Sequence, residues 1–279
     1  MAKAIMLLGT ASGVGKTILT LALCRIFKKD GHSVAPFKAQ NMTSNTTVLE
    51  TGDEIAISQW LQAQAAGLAP DARMNPVLLK YSRGKKATDL VVNGKLYETI
   101  NAHSFKETKK KLVPLIMEAY TALSRQHDII VIEGAGSPVE LNLNQDDIVN
   151  MGMAKRAKAP VILVADIDRG GVFASMYGTL QLMDKSERAY VKALIVNRFR
   201  GDVSSFGSGI GILEEITGLP VAGVVPYENI ELPEEDSLHS KNASVSQLDF
   251  EAQFDRVADF VGKSLNMDLV YEILDKGMA

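Results

Sequence analysis

The sequence predicts an α/β protein in which helices cover both faces of a mainly parallel sheet. Short apolar runs alternate with helical patterns along most of the chain, as they do in proteins built from β-α-β units. Most of these runs are continuous rather than alternating, which is typical of strands buried on both faces. A glycine-rich segment, residues 9–17, follows the first run and opens the first helical pattern. That is the context of a phosphate-binding loop.

Length and composition indicate a single large core. The chain has 279 residues, of which 46% are hydrophobic, and this suffices for one full α/β domain. A net charge of −3 gives no electrostatic reason to expect a nucleic acid or an anionic membrane as partner. The single cysteine, Cys24, excludes a disulfide framework and a cysteine-based metal site. Because no apolar stretch is long enough for a membrane span or a signal peptide, we expect a cytoplasmic protein.

Six short apolar runs are predicted to form the sheet, because each lies between two helical patterns. They are residues 4–8, 33–37, 128–132, 161–165, 193–196 and 222–225. Two further runs, 75–80 and 90–92, are predicted to be edge strands, with Asn93-Gly94 as a tight-turn signal. The helical patterns occupy residues 16–29, 53–66, 105–125, 147–158, 172–183 and 205–217.

The character of the chain changes after Pro226. Residues 228–247 are acidic and polar and are predicted to be an exposed linker. Residues 248–274 have amphipathic spacing, so we expect a helix that docks on the sheet or on a second subunit of a homodimer. The predicted organisation is a catalytic domain at 1–227, an acidic linker at 228–247 and a C-terminal amphipathic helical segment at 248–279.

The glycine-rich segment predicts a bound nucleotide triphosphate. Its glycines let backbone N–H groups curl around phosphate oxygens, and the helix N-terminus adds a favourable dipole. Lys16 would reach the β- and γ-phosphates, and Thr17 can ligate magnesium. The strict spacing of the motif is not met, because Thr10 stands in the place of the first glycine and Gly9 comes one residue early. The candidate ATP-binding residues are Thr10, Ser12, Gly13, Val14, Gly15, Lys16 and Thr17.

Two other strand ends should lie beside this loop, because ligands gather at the carboxyl ends of parallel strands. Lys38 follows the second strand and is a candidate to bind an anionic substrate or the transferring phosphoryl group; a solvent-facing lysine is the alternative. Glu133 ends a buried strand before a glycine turn, where an acid can hold magnesium directly or through water. A cap or surface role for Glu133 is the weaker alternative.

The remaining strand ends carry further polar residues. Asp147 belongs to an acidic cluster at a predicted helix start, where helix capping and a substrate-side role are equally good interpretations. Asp168 and Arg169 lie in a glycine-rich turn with more charge than a connection needs. Asn197 closes the following strand, where its amide could read an adenine edge.

Long blocks of this sequence resemble cobyric acid synthase, and they follow one another in order over roughly residues 4–238. The similarity is to the amidoligase domain of that family, a P-loop NTPase fold that resembles dethiobiotin synthetase. Ordered blocks of this length are far more specific than a phosphate loop alone. They are residues 10–17, 35–42, 74–80, 133–138, 147–152, 164–173 and 197–202.

The resemblance implies a ligase reaction in cobalamin biosynthesis. The remaining peripheral carboxylates of adenosylcobyrinic acid a,c-diamide are amidated in turn to give cobyric acid. Each carboxylate is first activated as an ATP-derived acyl phosphate, which ammonia then attacks. The implied cofactors are ATP and Mg²⁺, and the implied metal-side residues are Thr17, Glu133 and, less closely matched, Glu54.

The same motifs imply roles around the organic substrate. Lys38 matches the lysine that bridges substrate and γ-phosphate, and Asp147 matches an acid near the carboxylate to be activated. With Lys16 they form the candidate catalytic set. Asn197 and Pro226 match the adenine pocket. The candidate substrate-side residues are Gln40, Asn41, Lys80, Asp168 and Arg169.

The expected partners are a corrinoid substrate and a source of ammonia. The family normally continues into a glutaminase domain with its own cysteine and histidine, so ammonia is expected from a glutaminase domain or subunit outside this chain. Dethiobiotin synthetase is an alternative, which the blocks at 75–80 and 166–171 argue against. A partition-type switch ATPase is another, and it would carry a lysine in the place of Ala11.

Overall fold

The computed structural model describes residues 1–81, 87–142, 147–230, 232–233 and 249–278. Its strands in chain order are β1 Lys3–Gly9, β2 Val34–Phe37, β3 Gln40–Met42, β4 Thr46–Val48, β5 Glu54–Ala56, β6 Val77–Tyr81, β7 Thr88–Val92, β8 Lys95–Ile100, β9 Ile129–Glu133, β10 Val161–Asp166, β11 Val191–Phe199 and β12 Val221–Pro226.

Helices connect most of these strands. They are α1 Lys16–Lys29, α2 Ile57–Ala65, α3 Ala102–Gln126, α4 Met151–Ala157, α5 Val172–Leu182, α6 Lys185–Arg188, α7 Gly209–Thr217, α8 Phe250–Ser264 and α9 Met267–Lys276. In the part of the chain that the structure describes, no helix is both long and apolar enough to cross a bilayer.

The central sheet has six strands in the order β12-β11-β10-β1-β9-β2, and every neighbouring pair is parallel. All six predicted strands are confirmed. Their apolar runs are continuous because the sheet is covered on both faces: Met6 and Leu8 of β1 pack in one apolar cluster, whereas Ile5 and Leu7 pack in the other. The predicted fold class is therefore confirmed.

The two predicted edge strands do not extend this sheet. Both belong to a second, four-stranded sheet with the order β3-β6-β7-β8. The Asn93-Gly94 turn joins β7 to β8, and both residues have positive φ angles of 45° and 81°. Only two residues, Lys38 and Ala39, separate the end of β2 from the start of β3. The second sheet therefore stands directly beyond the carboxyl end of the central one.

Two predicted helices begin later than the sequence suggested. The helix predicted from residue 53 begins at Ile57, because β5 pairs with β4 in an antiparallel hairpin. The helix predicted from residue 147 begins at Met151. The pattern at 205–217 divides into a 3₁₀ turn, Val203–Phe206, and α7. In each case local pairing or turn geometry overrides the helical periodicity.

The predicted C-terminal helix is two helices. Leu265 adopts an extended conformation and forms an isolated bridge with Gly223 of β12, which interrupts the helix. Asn266 then caps α9 by accepting a hydrogen bond from the Leu269 N–H at 3.1 Å. Most of the predicted acidic linker lies outside the described residues.

The C-terminal helices dock within the chain, against α1 and the sheet. Arg25 of α1 has a side chain that is only 8% exposed, and it donates to Glu251 at 2.8 Å and Asp255 at 2.9 Å. Lys29, 44% exposed, pairs with Asp255 and Asp259 further along the same helix. Hydrogen bonding from Arg25 holds the pKa of Asp255 below its usual range.

We expect Arg25→Met to destabilise the protein by about 1–2 kcal/mol, because it removes two charge-assisted hydrogen bonds from a largely buried guanidinium. Lys29→Met is the matched control, and its exposed pairs should contribute only about 0–1 kcal/mol. Urea unfolding followed by circular dichroism measures both. Equal losses in the two variants would contradict the view that the buried arginine anchors α8.

Candidate functional site

The glycine-rich loop joins β1 to α1 at the carboxyl edge of the sheet. Gly13 and Gly15 have φ angles of 71° and 97°, which L side chains rarely adopt. A Cβ atom on Gly15 would also lie 2.1 Å from the Asn197 amide nitrogen. That amide donates to the Val14 carbonyl oxygen at 2.8 Å and so supports the loop from β11. The predicted adenine contact of Asn197 stays a prediction.

Lys16 at the start of α1 is buried with its ammonium facing the loop. Its Nζ donates to the carbonyl oxygens of Ala11 at 3.0 Å and Gly136 at 3.1 Å. The lysine therefore joins the phosphate loop to the glycine turn after β9. An ammonium in this position can neutralise phosphate charge at the helix N-terminus.

A single buried carboxylate joins three elements around the loop. Oε1 of Glu133, at the end of β9, accepts hydrogen bonds from Thr17 Oγ1 at 2.8 Å and Lys38 Nζ at 3.0 Å. Its Oε2 atom accepts from Gln62 Nε2 at 2.7 Å. The Lys38 and Glu133 side chains are only 4% and 1% exposed. The structure thus brings together three residues that the sequence singled out, and adds Gln62.

These residues fit a magnesium ion. Thr17 donates its hydroxyl proton to Glu133, so the lone pairs of Oγ1 face away from that bond, and hard oxygen ligands suit Mg²⁺. Among the described residues, no three histidine, cysteine, aspartate or glutamate side chains form a metal cluster. A magnesium ion here would therefore depend on Thr17, Glu133, water and the phosphates of a nucleotide, as in other P-loop proteins.

A chain of buried amides lies behind Glu133, and the sequence analysis missed it. Gln62 and Gln59 are on α2, and Asn41 is on β3; all three are buried. Asn41 Nδ2 donates to Gln59 Oε1 at 2.9 Å, and Gln59 Nε2 lies 3.4 Å from Gln62 Oε1. Glutamines at positions i and i+3 on the core-facing side of a helix were the available signal.

The turn after β10 supplies a second group of charges. Arg198 donates to the buried Asp166 at 3.1 Å. Asp168 accepts from Arg200, and this hydrogen bond holds the pKa of Asp168 below its usual range. Arg169 is 74% exposed, and its guanidinium lies beside Gly13 of the phosphate loop. The predicted substrate-side pair Asp168 and Arg169 is therefore on the same rim as the loop.

Other predicted residues lie apart from Glu133. Glu54 is on β5 rather than on a helix, where it accepts hydrogen bonds from Thr46 and Lys80, each at 2.5 Å. The predicted metal ligand Glu54 and the predicted substrate residue Lys80 thus pair with each other. Gln40 has a buried Oε1 atom that finds no partner in the described part of the chain. Their roles stay predictions, as does that of Pro226 at the end of β12.

Asp147 has the geometry of a capping residue. Its Oδ1 accepts from the backbone N–H groups of Val149 at 2.8 Å and Asn150 at 3.0 Å, and its Oδ2 accepts from Gly152 at 2.7 Å. Asn150 in turn exchanges hydrogen bonds with the backbone of Ala135 in the glycine turn after Glu133. These contacts support the capping interpretation of Asp147, and they connect it to the site through the backbone.

Cys24 lies in the core, on the face of α1 that packs on the sheet. Burial raises the pKa of its thiol well above the usual range, and the nearby Glu133 charge raises it further. A raised pKa removes the thiolate that a nucleophilic cysteine needs. Cys24 is therefore a packing residue.

The parallel sheet, the glycine loop and the buried lysine define a P-loop nucleotide-binding protein. The chain belongs to the family described as the CobQ/CobB/MinD/ParA nucleotide binding domain, whose model matches residues 5–239. The matched segment begins within β1, includes β2 to β12 and ends before α8 and α9.

Proteins named cobyric acid synthase are similar to this chain. That of Listeria monocytogenes serovar 1/2a is 52% identical over 244 residues, which cover 87% of this chain and 48% of the relative. That of Streptococcus sanguinis is 54% identical over 238 residues, which cover 85% of this chain and 48% of the relative. The chain spans about half the length of the curated relatives it matches.

Solved structures give weaker similarity. The signal recognition particle receptor FtsY from Elizabethkingia anophelis, in complex with GDP, is 18% identical and covers 82% of this chain and 58% of its own, with a TM-score of 0.46. Chloroplast FtsY from Physcomitrella patens is 16% identical, with a TM-score of 0.47. The match covers 92% of this chain and 65% of the FtsY chain. A similarity of this size carries no argument about function.

We expect Asp147→Asn to leave nucleotide binding and turnover nearly unchanged. Asparagine keeps the acceptor that serves Val149 and Asn150 and loses only the bond to Gly152, at a cost of about 1 kcal/mol in stability. Thermal unfolding and ATP turnover measure the two effects. Loss of amide formation with intact ATP binding would instead establish a substrate-side role for this carboxylate.

Proposed function

We propose that the chain is an ATP-dependent amidoligase that acts on corrinoid side-chain carboxylates. The proposed reaction takes adenosylcobyrinic acid a,c-diamide towards cobyric acid, through an acyl phosphate that ammonia attacks. Similarity to cobyric acid synthases over more than four fifths of this chain supports the proposal. Residues 1–227 would form the amidoligase domain.

The observation that carries the proposal is the shared contact of Thr17 and Lys38 with Glu133. Thr17 belongs to the helix that would hold the nucleotide phosphates, whereas Lys38 ends the neighbouring β2. Because the Glu133 carboxylate contacts both residues, it holds the Thr17 hydroxyl, on the phosphate side, and the Lys38 ammonium close together. Such a group suits the activation of a carboxylate by phosphorylation, because the phosphoryl group must move between two anions whose charges need neutralising.

The chain's own residues then have separable roles. Backbone N–H groups of residues 12–15 and the Lys16 ammonium bind the phosphates and orient the γ-phosphate. The Lys38 ammonium neutralises charge where the substrate carboxylate meets the γ-phosphoryl group, and Arg169 can approach from the rim beside Gly13. Thr17 and Glu133 would hold Mg²⁺, which would supply further neutralisation of phosphate charge.

The organic substrate would bind beyond the ends of β2 and β10. Gln40 and Asn41 on one side, and Asp168 with Arg169 on the other, are the proposed contacts, with Lys80 further along the second sheet. The buried Oε1 of Gln40, which has no partner among the described residues, is an acceptor for an amide or hydroxyl group. Asn197 and Pro226 remain the proposed adenine contacts.

Ammonia would come from a glutaminase domain or subunit outside this chain. Acyl phosphates are attacked by neutral ammonia, and Cys24 is too deeply buried to release it from glutamine.

The experiment that tests the function is corrinoid turnover by Lys38→Met. We expect corrinoid-dependent ADP formation to fall by about 10²–10³, because one preorganised charge contact to the transferring group is lost. Nucleotide binding should change little, since Lys16 and the loop remain. ADP release and mass spectrometry of the corrinoid, with ammonium chloride as nitrogen source, measure both products.

Lys29→Met, an exposed lysine on the outer end of α1, is the control and should turn over normally. Because Lys38→Met leaves Glu133 buried without its cation, the melting temperature and ATP-analogue affinity of the variant are measured alongside, and both must stay near wild type for the loss of activity to count. Absence of corrinoid amides from the wild-type chain with ATP, Mg²⁺ and ammonium would refute the proposal.

The nitrogen source gives a second prediction. We expect amide product with ammonium salts and none with glutamine as the only nitrogen donor. Activity at fixed total ammonium should rise with pH while the protein stays folded, because the neutral ammonia fraction rises. Cys24→Ala should behave like wild type in both assays. Product from glutamine that disappears in Cys24→Ala would overturn the packing role of this cysteine.

A further inference from the structure

The buried amides of Asn41, Gln59 and Gln62, together called the amide relay, have a fixed direction. Glu133 is an acceptor when ionised, so the Gln62 amide must present its NH₂ group to the carboxylate. The Gln62 carbonyl oxygen then faces the NH₂ group of Gln59, whose own oxygen faces the NH₂ group of Asn41. Each amide therefore donates towards Glu133.

The start of the amide relay is anchored in β3. The Asn41 Oδ1 atom accepts the Met42 backbone N–H at 2.7 Å, which orients the Asn41 side chain. Ser58 lies beside the same amides, accepting from Asn41 at 3.2 Å and donating to Gln59 at 3.0 Å. A relay in which every member has a partner is rigid, and aligned hydrogen bonds polarise one another.

Gln62 also contacts the phosphate-loop helix directly. Its Nε2 atom donates to Glu133 Oε2 at 2.7 Å and lies 3.3 Å from the Thr17 carbonyl oxygen. The other carboxylate oxygen, Oε1, is bonded by Thr17 and Lys38. In the part of the chain that the structure describes, Gln62 is the side chain that bonds Oε2, so its removal would free that oxygen and let the carboxylate rotate more easily.

We propose that Gln62 is a positioning residue that orients Glu133 for magnesium, with Gln59 and Asn41 fixing the orientation of its amide. The inference rests on the proposed function only in assigning Mg²⁺ and a nucleotide to this site. Residues that hydrogen-bond a metal ligand typically contribute about 10–100-fold to metal affinity.

The test measures, by calorimetry, how the binding of a non-hydrolysable ATP analogue depends on the Mg²⁺ concentration. Corrinoid and ammonia are left out. Gln62→Met keeps the length of the side chain and removes both polar atoms. We expect it to raise the Mg²⁺ concentration for half-maximal binding about tenfold. Gln64→Met, a partly exposed glutamine on the same helix, is the matched control and should leave the midpoint unchanged.

A double-variant cycle separates positioning from general destabilisation. If Gln62 acts through Glu133, adding Gln62→Met to Glu133→Gln should move the Mg²⁺ midpoint no further than Glu133→Gln alone. Additive effects, or a lower melting temperature with an unchanged Mg²⁺ midpoint, would overturn the proposal. A purely structural glutamine predicts either of those results.

Gln59→Met provides an independent variant if Gln62→Met does not fold. It leaves the bond to Glu133 in place and releases the Gln62 carbonyl, so we expect a smaller rise of several-fold in the Mg²⁺ midpoint. An unchanged midpoint, or failure of both variants to fold, contradicts the positioning role. The titration contains no corrinoid, so it can be interpreted even if the wild-type chain forms no amide. If the wild-type chain does not bind the ATP analogue, the proposed function is refuted instead.

Discussion

The structure depends on one charge buried in its core, the Glu133 carboxylate. Burying an ionised carboxylate is costly unless it is paired and hydrogen-bonded. Here the compensation comes from three places in the chain: Lys38 after β2, Thr17 at the start of α1 and Gln62 on α2. Satisfying this group therefore fixes the relative positions of the phosphate loop, the neighbouring strand end and the second helix.

The parallel sheet makes that convergence possible. Because β1, β2, β9 and β10 run in the same direction, their carboxyl ends meet at one edge, where their polar terminal residues are close in space. The second sheet begins just beyond β2, so Asn41 reaches α2 and its glutamines. The amide relay joins β3 of the second sheet to Glu133 of the central sheet at this edge.

Elements far from the site support it through α1. This helix carries the phosphate loop at its start and receives α8 along its length, with Arg25 bonded to Glu251 and Asp255. Aromatic contacts extend the same interface, since Trp60 of α2 packs edge-on against Phe250 of α8. The segment after the family-matched region thus completes the packing of the helices that position Thr17 and Gln62.

The sequence by itself determined the six-stranded parallel sheet and the phosphate loop, because continuous apolar runs and glycine spacing are local signals, and it singled out Lys16, Lys38 and Glu133 as strand-end and loop residues. It did not determine the second sheet, the break at Leu265 or the start of α2, since each depends on which backbone segments pair, either nearby in a hairpin or far along the chain. Only the tertiary structure revealed the amide relay and the Glu54–Lys80 pair. Hydrogen bonds between side chains separated by tens of residues leave no periodic pattern in a single sequence, so their partners become visible only when the fold brings them together.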